Sequence, residues 1–166
     1  MFVIRRAELK DITDITEIYN EAILNTVATF DIEPKTEDEQ MAWFASHHFK
    51  NPILVAELDG VVVGWASLSK WSVRCAYSDT AEISLYVREG YRGRGIGKKL
   101  LEAIVRKGEE VGLHTIIARM TEDNSESIRL SKSAGFKDIG IMREVGKKFG
   151  KVLDVRLMQK IYPPKN

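Results

Sequence analysis

Between Thr80 and Val111 the hydrophobic period changes once, and it changes across a basic, glycine-rich loop. The run TAEISLYV alternates with period two: Ala81, Ile83, Leu85 and Val87 share one face, and Thr80, Glu82, Ser84 and Tyr86 share the other. After GYRGRGIGKK, the residues Ile96, Leu100, Leu101, Ile104, Val105 and Val111 recur at helical spacing, and Gly112 closes the helix. A strand that passes through alternating glycines straight into an amphipathic helix points to a layered α/β fold. Gly93, Gly95 and Gly97 let backbone N–H groups converge without Cβ obstruction, and the helix N-terminus adds partial positive charge, so the loop suits a phosphate. It lacks the GxxxxGK[ST] arrangement, and Lys98 stands where GxGxxG needs its last glycine, which sets aside the P-loop and Rossmann readings.

The remaining pattern fills in the layers. FVIR reads as a short strand and Lys10 to Asn25 as a helix with a stripe through Ile12, Ile15, Ile18, Tyr19, Ala22 and Ile23. The segment NTVATFDIEPKT is a loop broken by Pro34, and Thr36 with Glu39 forms a capping box that opens a helix toward Lys50. PILVAEL and VVVGWASLS, joined by Asp59-Gly60, read as a hairpin. HTIIARMT is a further strand, Asn124 or Ser125 caps a helix ending at Gly135, and FKDIGIMRE and VLDVRLMQKIY supply two more strands. No repeat or linker interrupts the chain, so residues 1–166 are expected to form one mixed α/β domain.

Composition narrows the function classes. Lys plus Arg number 25 against 24 Asp plus Glu, a net charge of +1, which lacks the footprint of a nucleic-acid binder. No stretch has the length or apolarity of a membrane span or a signal peptide, so no membrane partner is expected. Cys75 is the single cysteine, which excludes an internal disulfide and multi-cysteine metal sites and fits the cytoplasm. A lone cysteine of this kind is expected to be a small buried residue, not a nucleophile. His47 and His48, adjacent on a helix, point about 100° apart and would not chelate together, so no metal site is expected.

Arg92-x-x-Gly95-x-Gly97 after a strand resembles the pyrophosphate loop of the GNAT superfamily of N-acetyltransferases, which use acetyl-CoA. Asn124, Ser127, Ile128 and Leu130, followed by Ala134-Gly135-Phe136, resemble that superfamily's second cofactor segment. Trp71, Arg74, Ala76-Tyr77, Thr80, Glu82 and Tyr86-Val87 are similar to the phosphinothricin and methionine sulfoximine acetyltransferase branch. So are Phe30 in ATFD and Gly146, Lys148, Gly150 and Asp154 near the end.

The resemblance implies a GNAT fold: a twisted, mostly antiparallel sheet of about seven strands with about four helices, and a splayed parallel pair at its centre. Acetyl-CoA would lie with its pyrophosphate on the backbone of Gly93, Arg94, Gly95, Ile96, Gly97 and Lys98, with Arg92 and Arg94 adding charge. Its pantetheine arm would pair with Leu85, Tyr86 and Val87, one of whose N–H groups would serve the oxyanion, and Asn124 and Ser127 would complete the cofactor site. Glu82 would take the amine's proton, either directly or through water, unless it is a structural carboxylate paired with Arg119. Where relatives carry Tyr or His as the acid for the leaving thiolate, this chain has Ser131, so Ser131, Tyr86 or an unprotonated departure are the alternatives. Arg74 would clamp an α-carboxylate while Phe30, Tyr77, Thr80 and Lys148 form the acceptor pocket. Val152, where the branch commonly has Trp, would widen that pocket or change the side chain it prefers.

The implied activity is direct acetyl transfer to the α-amine of a small amino acid or analogue, in a ternary complex and in a homodimer. Two alternatives remain: acetylation of a protein N-terminus or polyamine, and a non-catalytic acyl-CoA sensor. Trp43, Trp65, Phe149 and Met158 fit an interface or a core equally well.

Overall fold

A computed structural model describes residues 1–165. The chain runs β1 (Phe2–Arg6), a 3-10 turn (Leu9–Asp11), α1 (Ile12–Asn25), α2 (Glu37–Ala45), β2 (Ile53–Leu58) and β3 (Val61–Lys70). A second 3-10 turn (Cys75–Tyr77) leads to β4 (Thr80–Val87), α3 (Ile96–Glu110), β5 (Thr115–Thr121), α4 (Ser125–Ser133), β6 (Lys137–Lys148) and β7 (Lys151–Ile161). The strands form one sheet in the order β1-β2-β3-β4-β5-β7-β6. Only β4 and β5 run parallel; every other neighbouring pair is antiparallel. This is the mixed α/β architecture expected from the sequence, with its parallel pair in the middle.

Each face of the sheet carries its own core. On one side α3 buries Leu100, Leu101 and Ile104 against Ala81, Leu68, Ile116 and Met158, with Ile83, Leu85 and Val87 packed at the margin. On the other, α1 buries Ile15 and Ile18 against Val55, Val62 and Trp65, and Tyr86 packs there too. The period-two alternation of TAEISLYV therefore divides β4 between the two cores as its sequence requires. Trp65 and Met158 are core residues, whereas Phe149 is exposed on the turn between β6 and β7.

Three boundaries differ from the sequence reading. A 3-10 turn replaces the first residues of the expected helix at Lys10. Helix α2 stops at Ala45, short of Lys50, because Ser46 Oγ donates to the Trp43 carbonyl at 2.6 Å and His47 Nδ1 lies 2.7 Å from the same oxygen. Side chains that satisfy the last carbonyls compete with further helical turns. Strand β6 runs on to Lys148 through two irregularities, at Asp138/Gly140 and Met142/Gly146. Glu144 adopts φ 53° there, and its N–H donates to Asp154 at 2.7 Å. A bulge of this kind breaks the alternation from which strands are read.

Candidate active site

The parallel ladder is short. Thr80 pairs with Thr115, Ala81 with Ile116 and Glu82 with Ile117, and the pairing ends there. Both strands continue beyond it: β4 stays on β3 as far as Val87 opposite Gly64, and β5 stays on β7 as far as Thr121 opposite Val155. Held by different neighbours, the strands diverge, leaving Ile83 to Val87 without a partner strand on the β5 side. The opening forms part of a cleft of about 630 Å³ walled by Ile83 to Tyr86, Ala118 to Thr121, the Val27 to Asp31 segment and α4. The splay implied by the resemblance is present.

Glu82 sits at the last paired position, at the mouth of this opening. Arg119, two residues beyond Ile117 on the opposite strand, holds it through both carboxylate oxygens: Nε donates to Oε2, and Nη2 donates to Oε1 at 2.7 Å. The hydrogen bonds to Glu82 raise the Arg119 guanidinium further above its ordinary value. Trp71 lies under the guanidinium, with its ring centre 5.6 Å from Cζ. Glu82 is thus both a cleft carboxylate and the partner of Arg119.

The glycine loop has the form a phosphate needs. Gly93 and Gly95 take φ of 76° and 80°, and a Cβ built on either would meet no atom within 4 Å. Gly95 caps α3 without a side-chain hydrogen bond, so the first N–H groups of the helix are left to an external acceptor. Arg92 Nε donates to the Val87 carbonyl at 3.0 Å and its Nη2 to Glu21 at 2.9 Å, which ties its side chain to α1. Glu21 also accepts the Glu89 N–H at 3.0 Å, while Arg88 reaches Asp14 and Glu17. An acidic side of α1 therefore fastens the loop from behind. Arg94 rests over the Tyr91 ring.

Helix α4 brings Asn124, Ser127 and Ser131 to the cleft. Asn124 serves as the helix cap, accepting the Ser127 N–H at 3.2 Å. Ser131 is buried on the same wall. Tyr86 lines the cleft too, but burial, reinforced by Asp31 and Glu82 and partly offset by Thr29, pushes its phenol up to about 12. The phenol therefore stays protonated at neutral pH.

On the acceptor side, Phe30 lines the cleft. Its segment is fastened by several groups. Lys148 Nζ donates to the Thr29 carbonyl at 2.8 Å, and the Tyr19 hydroxyl lies 3.0 Å from Thr29 Oγ1 while also donating to Asp31. Lys148 is buried behind the wall, and desolvation lowers its pKa. Gly146 leaves the space that the Phe30 ring occupies. Lys148 and Gly146 therefore fix where the Thr29–Phe30 segment meets the cleft.

Arg74, Tyr77 and Thr80 do not line the cleft. Arg74 and Tyr77 are exposed around the 3-10 turn before β4, and Thr80 is paired with Thr115 at the closed end of the ladder. Cys75 is exposed on that turn instead of buried, and Val152 faces outward from β7. Sequence reasoning missed Tyr19, Asp31 and Glu21. Tyr19 was visible only as a member of an apolar stripe, and Asp31 only as the neighbour of Phe30.

Residues 13–136 match the model of the acetyltransferase (GNAT) family. The chain is 38% identical over 157 residues to an L-methionine sulfoximine/L-methionine sulfone acetyltransferase of Salmonella typhimurium, covering 94% of this chain and 92% of the relative. It is 37% identical to an L-amino acid N-acyltransferase of Escherichia coli, with 94% and 91% covered. A Salmonella typhimurium structure solved with acetyl-CoA superposes with a TM-score of 0.96 at 36% identity, covering 100% of this chain and 96% of that one. A phosphinothricin acetyltransferase from Sinorhizobium meliloti, also in complex with acetyl-CoA, gives 0.93 at 36% identity, with 96% and 88% covered. A splayed parallel pair, a glycine loop opening α3 and a family match spanning both lead to one conclusion: the chain belongs to the GNAT acetyltransferase family.

Proposed function

We propose that this enzyme transfers acetyl from acetyl-CoA to the α-amine of a small amino acid of the methionine sulfoximine, methionine sulfone or phosphinothricin kind. The observation that carries the reading is Glu82 at the point where β4 and β5 part, lining the cleft that the parting strands open. Relatives covering nearly the whole chain bear the corresponding names.

The residues fit acetyl-CoA. The open, left-handed glycines Gly93 and Gly95 and the uncapped start of α3 present N–H groups for a pyrophosphate, with Arg94 and Lys98 as nearby charges. The partnerless stretch of β4 offers backbone groups to an extended amide arm, as an added strand would use them. When bound, acetyl-CoA supplies a thioester whose carbonyl carbon accepts the amine and whose sulfur departs.

The chain's own groups do the rest. An N–H within Leu85 to Val87 is the donor for the developing oxyanion. Glu82 accepts the proton that the ammonium must lose, directly or through one water, and passes it to solvent. Ser131, which lines the cleft on α4, donates a hydrogen bond toward the departing sulfur in this reading. Cys75, exposed and outside the cleft, is no nucleophile for an acetyl-enzyme, so attack within a ternary complex follows.

Val145, Phe149 and Val152 are exposed on the β6 and β7 hairpin, a surface suited to a second copy of the chain in a homodimer. A single cysteine fits a reducing cytoplasm.

Thiol release from acetyl-CoA, measured against a panel of amino acids, peptides with free N-termini and polyamines, tests the reading. Amino acids of the named kind should turn over and Glu82→Gln should depress kcat in a pH-dependent way. Tight CoA binding without thiol release, or turnover of peptides or polyamines alone, would overturn it. An unchanged pH profile in Glu82→Gln would remove Glu82 as the base.

A further inference from the structure

We propose that the cavity between α1, α2 and the sheet is a second binding site, suited to a small alkylammonium ion that carries a hydroxyl group, and that its occupant adjusts the neighbouring cleft. The cavity measures about 310 Å³. Ligand pockets start at about 300 Å³, so there is room for a small molecule. Tyr19, Asp31 and Ser84 line both this cavity and the cleft, whereas Glu82 and Arg119 line the cleft alone.

The walls favour a cation. Trp43 and Tyr19 each pack edge-to-face on Trp65, with ring centres 5.3 and 5.9 Å apart, and all three rings belong to the lining. Aromatic rings attract a cation through their faces, most strongly where water is excluded. Asp31 and Glu39 add two carboxylates against a single ammonium in the lining, that of Lys35, which lies 3.9 Å from Asp31. One negative charge is left over, which disfavours an anion.

Two buried polar groups call for a hydroxyl on the same ligand. Trp65 is 2% exposed, and its Nε1–H has no acceptor. Gln40 is 5% exposed, and its amide makes no hydrogen bond to the described residues. Leaving a buried polar group unpaired costs stability, and both residues line the cavity. A hydroxyl oxygen accepts from the indole, and its proton goes to the Gln40 carbonyl. Substrates in the cleft cannot serve these groups, because neither Trp65 nor Gln40 lines it. Occupancy reaches the cleft through Asp31: Tyr19 donates to Asp31 and lies 3.0 Å from Thr29 Oγ1, so the carboxylate that meets the ligand belongs to the segment that carries Phe30.

The test titrates choline chloride into the whole enzyme and follows tryptophan fluorescence, since Trp43 and Trp65 are two of the three tryptophans. Potassium chloride at equal ionic strength is the control. Saturable binding on the order of 1 mM is expected. 3,3-Dimethylbutan-1-ol, which keeps the shape and loses the charge, should bind about tenfold more weakly. Tetramethylammonium, which keeps the charge and loses the hydroxyl, should bind about threefold to tenfold more weakly. By calorimetry, Glu39→Gln should weaken choline about two- to fivefold and Trp43→Leu about tenfold. Glu39 lies outside the cleft, so Glu39→Gln should leave turnover without choline unchanged. Choline should shift the KM of whichever acceptor turns over by about twofold or more and then reach a plateau, with the acetyl-CoA KM constant. Equal binding of the neutral alcohol, or undiminished affinity in both variants, overturns the site. An acceptor KM that climbs with choline without limit places the ion in the cleft and overturns it too, and an unmoved KM overturns the link to the cleft. The binding measurements need no turnover, so their outcome is separate from that of the acceptor reading.

Discussion

Gly146 on β6 lies directly against the ring of Phe30, so closely that a methyl group built on it would overlap three ring carbons. The contact joins residues far apart in the chain and places Phe30 at the cleft wall. Gly146→Ala must push the ring toward the acceptor space. We expect the acceptor KM to rise severalfold while the acetyl-CoA KM stays constant, with a stability loss of about 1–3 kcal/mol from overpacking. Steady-state kinetics with each substrate varied, together with a thermal melt, check this. Equal rises in both KM values would refute it.

Glu21 anchors the glycine loop at two points, accepting from Arg92 and from the Glu89 N–H. Removing it leaves the loop to be ordered by the ligand. Glu21→Ala should raise the KM for acetyl-CoA about three- to tenfold, the scale of a partly exposed charged anchor, and leave kcat nearly untouched. Titration of CoA binding by calorimetry gives an independent reading. Undiminished affinity would show that the loop holds its shape unaided.

The pH response of stability has a definite sign at the alkaline end. Burial raises the phenol of Tyr86 to about 12, and Tyr19 and Tyr162 are raised in the same direction, also chiefly by burial. Unfolded tyrosine ionises near pH 10, so above that value the unfolded chain releases protons that the folded chain still holds. Stability from these groups is complete below pH 10 and is lost as the pH climbs through the folded values. Melting temperatures recorded from pH 8 to 12 should fall over the upper half of that range, and Tyr86→Phe should lessen the fall. A flat profile would count against the burial argument.

Short-range chemistry explains which parts were legible in advance. The hairpin turn at Asp59-Gly60 appears with φ of 50° and 83°, because a two-residue turn of that type needs two left-handed residues. Glu82 was readable because it stands on the polar face of an otherwise apolar strand. The position of Arg74 outside the cleft lining was not legible, because a loop's direction depends on packing that no local period records. The pairing of Arg92 with Glu21 joins residues 71 apart, a distance at which no local pattern records it. The bulges in β6 hid how far that strand extends, and with it the role of Lys148 in holding Thr29.

The early end of the β4–β5 ladder also bears on colloidal behaviour. An unpaired strand edge at the rim of a sheet is a template for aggregation. Here the open stretch from Ile83 to Val87 lies in the middle of the sheet, flanked by β5 and by α3 and α4. A slender extended ligand can lie along it, whereas the strand of another folded protein is kept from it by the cleft's own walls. The enzyme can thus leave backbone hydrogen-bonding groups free for its substrate without offering them to its neighbours in a crowded solution.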